Sequence, residues 1–296
     1  MENNTTKSAA LSPCVGICAL DQQTGWCMGC GRSGDEIAAW NTMSPAEQNA
    51  CWDKLEHRLG QLSVRVRLLP WSAEEVAVWV SGTLTNEHGT WVTGVPGAVA
   101  EFPCGPSYVE ECERRSSVII GRAKNASFRL KLHDKLRAFS FGDGQPIVLG
   151  LPKARSTLPV AETVTSLGAD HAAVDDRFSS QTLFDFGLGR TSSRFCIRTG
   201  EPELLCALET QCGKAWSSVM SAIGSLLLAY GPHRVVESAL ARIEVYTPIP
   251  APGTTTPPGA HTHFLPQFLK SGEDAPAGLT LPDFALPVAI YYPKTS

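Results

Sequence analysis

From about residue 63 the apolar positions alternate between two periods. Val64 to Leu68 alternates apolar with basic residues, and Phe128-Arg129-Leu130-Lys131-Leu132 and Phe139-Ser140-Phe141 alternate in the same way. A period of two predicts strands of a sheet with one wet face. Further strand signals run over Thr90 to Val95, Val118 to Ile120 and Ile147 to Leu151, and Phe141-Gly142-Asp143-Gly144-Gln145 predicts a hairpin turn. Leu183 to Phe186 and Phe195 to Ile197 are apolar runs flanking the loop Gly187 to Ser193. Other stretches carry the helical period. Ser72-Ala73-Glu74-Glu75 is a capping box that opens a helix, and Pro106 to Arg114 predicts a short helix. Pro159 to Leu167, stopped by Gly168, and Pro202 to Trp216 predict two more. Val219, Met220, Ile223, Leu226, Leu227 and Tyr230 form an apolar stripe that ends at Gly231-Pro232 and reads as core. Arg234 to Val245 fits either period. Thr247 to Gly259 is a Pro/Thr/Gly loop, and Leu281 to Pro293 is apolar, broken by prolines, and predicts extended chain packed on the body.

The first sixty residues differ. After a polar start, two capping boxes, Ser33 to Glu36 and Ser44 to Glu47, open two helices, the second with Pro45 at its first position. Ile37 and Trp40 face inward on the first, and Cys51, Leu55 and Leu59 on the second. A short linker, Leu59 to Leu62, predicts that this part touches the rest of the chain. The expected division is a cysteine-rich module over residues 12–60 and a larger domain over 63–296. Helices and strands mix without strict alternation, so the fold class is α+β: a small metal-stapled helical module followed by a domain with a mainly antiparallel sheet.

Four cysteines carry the clearest chemistry. Cys14, Cys18, Cys27 and Cys30 are spaced C-x3-C-x8-C-x2-C. Two residues between Cys27 and Cys30 let both sulfurs face one centre, and Gly29 and Gly31 permit the turn. Four thiolates suit Zn²⁺ or an iron–sulfur cluster. Paired disulfides would need an oxidising compartment, and Ala9 to Leu20, interrupted by Pro13 and Cys14, does not read as a signal peptide. A module this short builds little core. A structural metal, at about 10 kcal/mol, exceeds what Trp26, Ile37, Trp40, Trp52 and Leu55 give after chain entropy is subtracted. Arg32 follows the last cysteine and is placed to hydrogen-bond a thiolate or a cluster sulfur, or to lie in a solvated loop. Cys51 reads as a small apolar residue on the inner face.

These residues carry a resemblance. Ser12-Pro13-Cys14-Val15-Gly16-Ile17-Cys18, Gly25-Trp26-Cys27-Met28-Gly29-Cys30-Gly31-Arg32, Glu36 to Trp40 and Met43-Ser44 resemble domain-of-unknown-function family 1289, small bacterial cysteine-rich proteins described as predicted iron–sulfur proteins. The resemblance covers about the first sixty residues. It implies metal or cluster binding and no reaction. Spacing alone leaves zinc and iron–sulfur level; the resemblance favours the cluster. The C-terminal part resembles uncharacterised bacterial proteins with a similar Pro-rich, His-x-His-Phe-Leu-Pro ending.

Composition narrows the classes. The chain has 296 residues, 43% of them hydrophobic, and a net charge of −4. No basic stripe marks a nucleic-acid partner, and no apolar run approaches the ~20 residues that span a bilayer. The other six cysteines, Cys51, Cys104, Cys112, Cys196, Cys206 and Cys212, lack paired spacing and read as reduced thiols. The expectation is a cytoplasmic protein with room for an unidentified protein partner.

In the larger part, His261-Thr262-His263 is the leading motif. Residues i and i+2 of an extended segment share a face and can reach one metal, with His233 and Asp283 as further candidates; the alternative is two histidines in a surface loop. Gly187 to Ser192 lacks both phosphate-loop patterns and reads as a hairpin loop. No G-x-S-x-G elbow occurs. Two function classes follow. One is a binding module with an iron–sulfur cluster on Cys14, Cys18, Cys27 and Cys30, acting in electron transfer, redox sensing or partner docking. The other is a structural zinc module attached to a metal-dependent enzyme domain that uses His261 and His263.

Overall fold

The computed structural model describes residues 12–13, 20, 24–27, 30–61, 67–141, 146–251, 258–270, 272–276, 279, 281–282 and 284–294. The elements run α1 Gly34–Ala39, α2 Pro45–Gln61, β1 Arg67–Leu68, α3 Ala73–Thr85, β2 Gly89–Val95 and β3 Ala98–Cys104. Then come β4 Glu111–Arg115, β5 Val118–Ala123, β6 Ala126–Lys131, β7 Arg137–Ser140, β8 Ile147–Pro152 and α4 Lys153–Ser156. Next are β9 Thr165–Ala169, a 3-10 turn Asp176–Phe178, β10 Thr182–Asp185, β11 Ser193–Thr199, α5 Pro202–Gln211 and α6 Trp216–Tyr230. The chain closes with β12 His233–Ser238, β13 Ala241–Val245, β14 His261–Phe264, α7 Pro266–Leu269 and β15 Ala285–Pro293. No helix among the described residues is long and apolar enough to cross a membrane.

The fold is α+β, and the named strands pair antiparallel. They form two sheets. One has the order β1-β7-β8-β15-β2-β3-β14, the other β4-β5-β6-β13-β12-β11-β10-β9. The sheets face each other where β2 and β3 meet β6, β11, β12 and β13. Alternation explains the packing. Trp91, Val95, Ala98, Ala100 and Phe102 on one sheet, and Phe128, Leu130, Ile197, Val236 and Ile243 on the other, point into the shared core. Trp91 stacks on Phe128 with ring centroids 5.3 Å apart, and its indole N–H donates to Thr83 Oγ1 at 3.0 Å, which satisfies the polar end of a fully buried ring. Helix α3 closes one side of the core and α6 another, through Val76, Val80 and Leu84 and through Val219, Ile223 and Leu227.

Three expectations need correction. Pro106 to Arg114 does not form a helix: Glu111–Arg115 is an edge strand whose Glu111 and Glu113 pair with Arg122 of the neighbouring strand. Cross-strand charge pairs outweigh the helical pattern there. Residues 159–167 are not helical either; Thr165–Ala169 is a fully exposed edge strand on β10. The tail is more than extended chain packed on the surface. Strand β15 sits inside its sheet, between β8 and β2, and the register shifts between Pro287 and Ala289, an irregularity that suits a proline with no N–H to give. The ambiguous stretch from Arg234 resolves as the hairpin β12–β13. Gly231 ends α6 in the left-handed conformation at φ 51°, its N–H on Leu227 O at 3.0 Å. The hairpin turn expected over residues 142–145 lies outside the described residues; its flanking strands β7 and β8 pair antiparallel.

The outer faces of the two sheets carry different chemistry. On the seven-stranded sheet, Leu68, Phe139, Val148 and Ile290 form an apolar patch covered by Trp40, Cys51, Leu55 and Leu59 of the N-terminal helices. The eight-stranded sheet carries buried ions on its outer face. Arg242 donates to Glu244 at 2.6 Å, to Glu237 at 2.6 Å and to Asp170. Arg198 reaches Asp170 at 2.9 Å and Glu244 at 2.8 Å. The chain after β9 lies over this network, with the Val174 N–H on Glu244 Oε1 at 3.0 Å.

Burial alone raises the Glu244 carboxyl, but the Arg242 and Arg198 charges overturn that and hold it below the usual carboxylate range. Glu244→Gln removes one counter-charge from each of two buried guanidinium groups and is expected to cost about 3–5 kcal/mol, read as a lower urea midpoint. Because the folded pKa is depressed, the carboxylate's contribution is present above about pH 4.3 and is lost as pH falls through the folded value. The wild-type midpoint should therefore drop between pH 5 and pH 2 more steeply than that of Glu244→Gln. Equal slopes would show that Glu244 contributes nothing to the acid sensitivity.

Candidate metal centres

Two groups of potential ligands lie far apart in sequence and on different parts of the fold. The first is the knuckle at Cys27 and Cys30. Cys14 and Cys18 lie outside the described residues. The Cys27 N–H donates to Arg32 O at 2.7 Å, and the Gly31 N–H returns to Cys27 O at 2.7 Å. Gly31 stands at φ +72° with Leu55 and Leu59 of α2 close behind it, so a residue without a Cβ is required for the turn to pack. Cys27 and Cys30 are buried and their thiols interact. The hydrogen bond with Cys27 and burial push the Cys30 thiol upward. Such a pair suits a cation that would take over the protons.

Arg32 is not a solvated loop residue. It is 2% exposed, its Nε donates to Cys30 Sγ at 3.5 Å, and its guanidinium lies 4.7 Å from the Trp40 ring centre. Arg58 of α2 ties the same loop down by donating to Gly31 O at 3.2 Å and to Glu36. Before the first cysteine, Arg137 of β7 donates to Ser12 O, so both flanks of the cysteine segment are held by the body. Cys51 sits in the apolar cluster with Trp40, Leu55 and Leu59, in agreement with its reading as an inner-face residue.

The second group is on the edge strand β14. His261 pairs with Glu101 of β3, and His263 with Val99, so His261, His263 and Glu101 share the outer face of the sheet. His261 Nε2 lies 2.9 Å from His263 Nε2 and 3.5 Å from Glu101 Oε2, and His263 Nε2 lies 3.3 Å from Glu101 Oε1. All three ligand atoms fall within 4.8 Å of one another. Atoms bound to one metal at about 2.0–2.2 Å lie about 3–4 Å apart, which matches. His261 Nδ1–H donates to Gly259 O at 2.9 Å, which leaves Nε2 with its lone pair toward the cluster. Tyr108 fixes this segment by accepting the Ala260 N–H at 2.7 Å, and Gly259, at φ +107°, has the Tyr108 ring 3.3 Å from where a Cβ would stand.

Glu101 is absent from the sequence reading, because some 160 positions separate it from the histidines and only the β3–β14 register joins them. The alternation of Ala98 to Phe102 marks it as outward-facing, the one local signal. His233 does not join the group. It lies on the other sheet, between Phe178 and Tyr246 with Arg198 Nη2 at 3.2 Å, and burial followed by the Arg198 charge pushes it down to about 4. Asp283 lies outside the described residues.

An α+β protein with one cysteine knuckle and one His-x-His-plus-Glu cluster is thus what the fold presents. The chain belongs to the family of unknown function DUF6925, whose model matches residues 75–296 and so contains Glu101, His261 and His263. Residues 12–59, with all four N-terminal cysteines, match the model of a second family, the proteins of unknown function DUF1289. The uncharacterized protein YdhL of Escherichia coli K12 is 54% identical over 37 residues, 12% of this chain and 46% of YdhL, and YdhL of Shigella flexneri matches identically. The match thus spans about half the length of these curated relatives. No solved structure matches the chain.

Arg32→Gln tests the cysteine loop. If Cys30 is a metal ligand, removing the buried donor to its sulfur is expected to weaken metal retention about 10–100-fold, measured by competition with a chromophoric chelator, with helix content unchanged by circular dichroism. Unchanged retention would leave Arg32 as packing beneath Trp40.

Proposed function

We propose that this is a metal-binding protein with two separate centres. Glu101, His261 and His263 hold a divalent metal on the outer face of the seven-stranded sheet. Cys14, Cys18, Cys27 and Cys30 hold a thiolate-bound metal in the N-terminal module. The observation that carries the reading is the convergence of three ligand atoms at 2.9–3.5 Å, with the His261 tautomer fixed by Gly259 O.

Two imidazoles and one carboxylate are a ligand set for Zn²⁺ or Fe²⁺ that leaves coordination positions open. The three side chains are 22%, 36% and 30% exposed, so water and a small substrate can reach those positions. When bound, the metal would supply Lewis acidity or activate a water there; Glu101 and the two histidines supply its charge balance and geometry. This favours the larger domain as the seat of metal-assisted chemistry. In the cysteine module, the buried thiol pair and the Arg32 donor support thiolate ligation. An iron–sulfur cluster is the first reading, through the family likeness, with electron transfer, redox sensing or partner docking as its role; structural zinc is the second. Cys30, Cys51, Cys104, Cys112, Cys196, Cys206 and Cys212 are unbridged, which supports a reducing, cytoplasmic setting.

The test is metal analysis of anaerobically purified full-length protein, with its absorption spectrum. Wild type is expected to carry metal at both centres. His261→Ala with His263→Ala should remove one equivalent of divalent metal and leave the cysteine-bound metal in place; Cys27→Ser with Cys30→Ser should do the reverse. Iron with sulfide and visible colour would select the cluster, and colourless protein with zinc would select the structural knuckle. Metal content unchanged by the histidine pair would end the two-centre reading.

A further inference from the structure

A cavity of about 390 Å³ lies on the other side of β14, between that strand, α6 and the inner ends of β11 and β12. Its volume falls at the small end of the range for ligand pockets, about 300–1,000 Å³. Most of the wall is apolar, supplied by Phe195, Ile197, Met220, Leu227, Ile249 and Phe264. Phe264 is held by edge and tilted contacts to Phe186, Phe195 and Trp216, so the pocket has a fixed shape.

Among the described residues one arginine, Arg234, lines this space, and His261 and His263 border it as well. Arg234 is 3% exposed. Its Nη1 donates to Pro232 O at 3.0 Å and to Thr247 O, its Nη2 to Thr247 Oγ1 at 3.1 Å, and its Nε to Thr262 Oγ1 at 3.4 Å. These are four acceptors for five N–H groups, and all four are neutral. No carboxylate pairs with Arg234 among the described residues. The contrast within the same protein is informative: Arg198 and Arg242, equally buried, each meet two or more carboxylates. A buried guanidinium without counter-charge is costly, and desolvation pulls Arg234 down to about 10. It remains charged at neutral pH, and the missing partner is an anion.

We propose that this cavity binds a small apolar monocarboxylate, such as a medium-chain fatty acid, with its carboxylate on Arg234 and its hydrocarbon against Phe195, Met220, Leu227 and Phe264. The Thr247 and Thr262 hydroxyls can turn to donate to the second carboxylate oxygen. A diacid or phosphorylated ligand would bring more charge than one guanidinium answers. The cavity borders the metal cluster: Thr262 and Phe264 face it, and His261 and His263, which also touch its lining, meet Glu101 from the alternate face of the strand.

Calorimetric titration of the full chain with decanoate and with decanol, each before and after EDTA treatment, tests this. Decanoate is expected to bind about tenfold or more tighter than decanol, the size of a charge-assisted hydrogen bond, and EDTA should not alter the ratio. Arg234→Met should abolish the preference. Met220→Trp, which fills the cavity and leaves Arg234 in place, should abolish binding of both. Equal binding of the two ligands, binding of neither, decanoate binding unaffected by Met220→Trp, or a preference that EDTA removes would each overturn the proposal. The last outcome would place the carboxylate on the metal instead. Should Arg234→Met fail to fold, the wild-type ratio and Met220→Trp decide.

Discussion

The seven-stranded sheet depends on one late event in the chain, the insertion of β15 between β8 and β2. Without that strand the sheet would divide into β1-β7-β8 and β2-β3-β14. The cysteine module rests on the first of these parts and the His/Glu cluster on the second. Backbone pairing through β15 therefore joins the two candidate metal centres into one body. Tyr291, on its inner face, closes the aromatic group around Trp91 and Trp79. The strand tolerates Pro287 because the register shift falls at that point.

Each sheet has one face in the common core and one put to separate use. The inner faces are apolar and close-packed, the ordinary source of stability. Outside, the eight-stranded sheet buries a network of arginines and carboxylates whose desolvation is offset only because nearly every donor meets an acceptor. The seven-stranded sheet carries an apolar patch under the helices and, at its far edge, two histidines and a glutamate. Arg234 stands apart from the network. It faces inward and, among the described residues, meets carbonyls and hydroxyls. The same residue type is structural on one face and a candidate ligand contact on the other, according to its neighbours.

Edge position also explains why chemistry collects at β14. An edge strand leaves one row of backbone groups unpaired and brings both side-chain faces near solvent. His261 and His263 are exposed enough for exchange, yet β3 and the Tyr108 hydroxyl hold them in place. Alternation along four residues sends His261 and His263 toward Glu101 and Thr262 and Phe264 toward the apolar cavity, which the two histidines border.

The chain's local chemistry was legible in the sequence by itself. The capping boxes at Ser33 and Ser72, the stop at Gly231 and the shared face of His261 and His263 all follow from spacings of a few residues, and the structure keeps them. The strands over Ala126–Lys131 and Arg137–Ser140 followed from alternation for the same reason: a period of two is a local property. Tertiary structure decided the rest. It joined Glu101 to the histidines, separated His233 from them, turned residues 111–115 and 165–169 into edge strands and drew the tail into the middle of a sheet. Among the described residues it also left Arg234 without a carboxylate while giving Arg198 and Arg242 several. Pairing partners and register depend on contacts between residues far apart in the chain, and no local period encodes which carboxylate will meet which arginine or histidine.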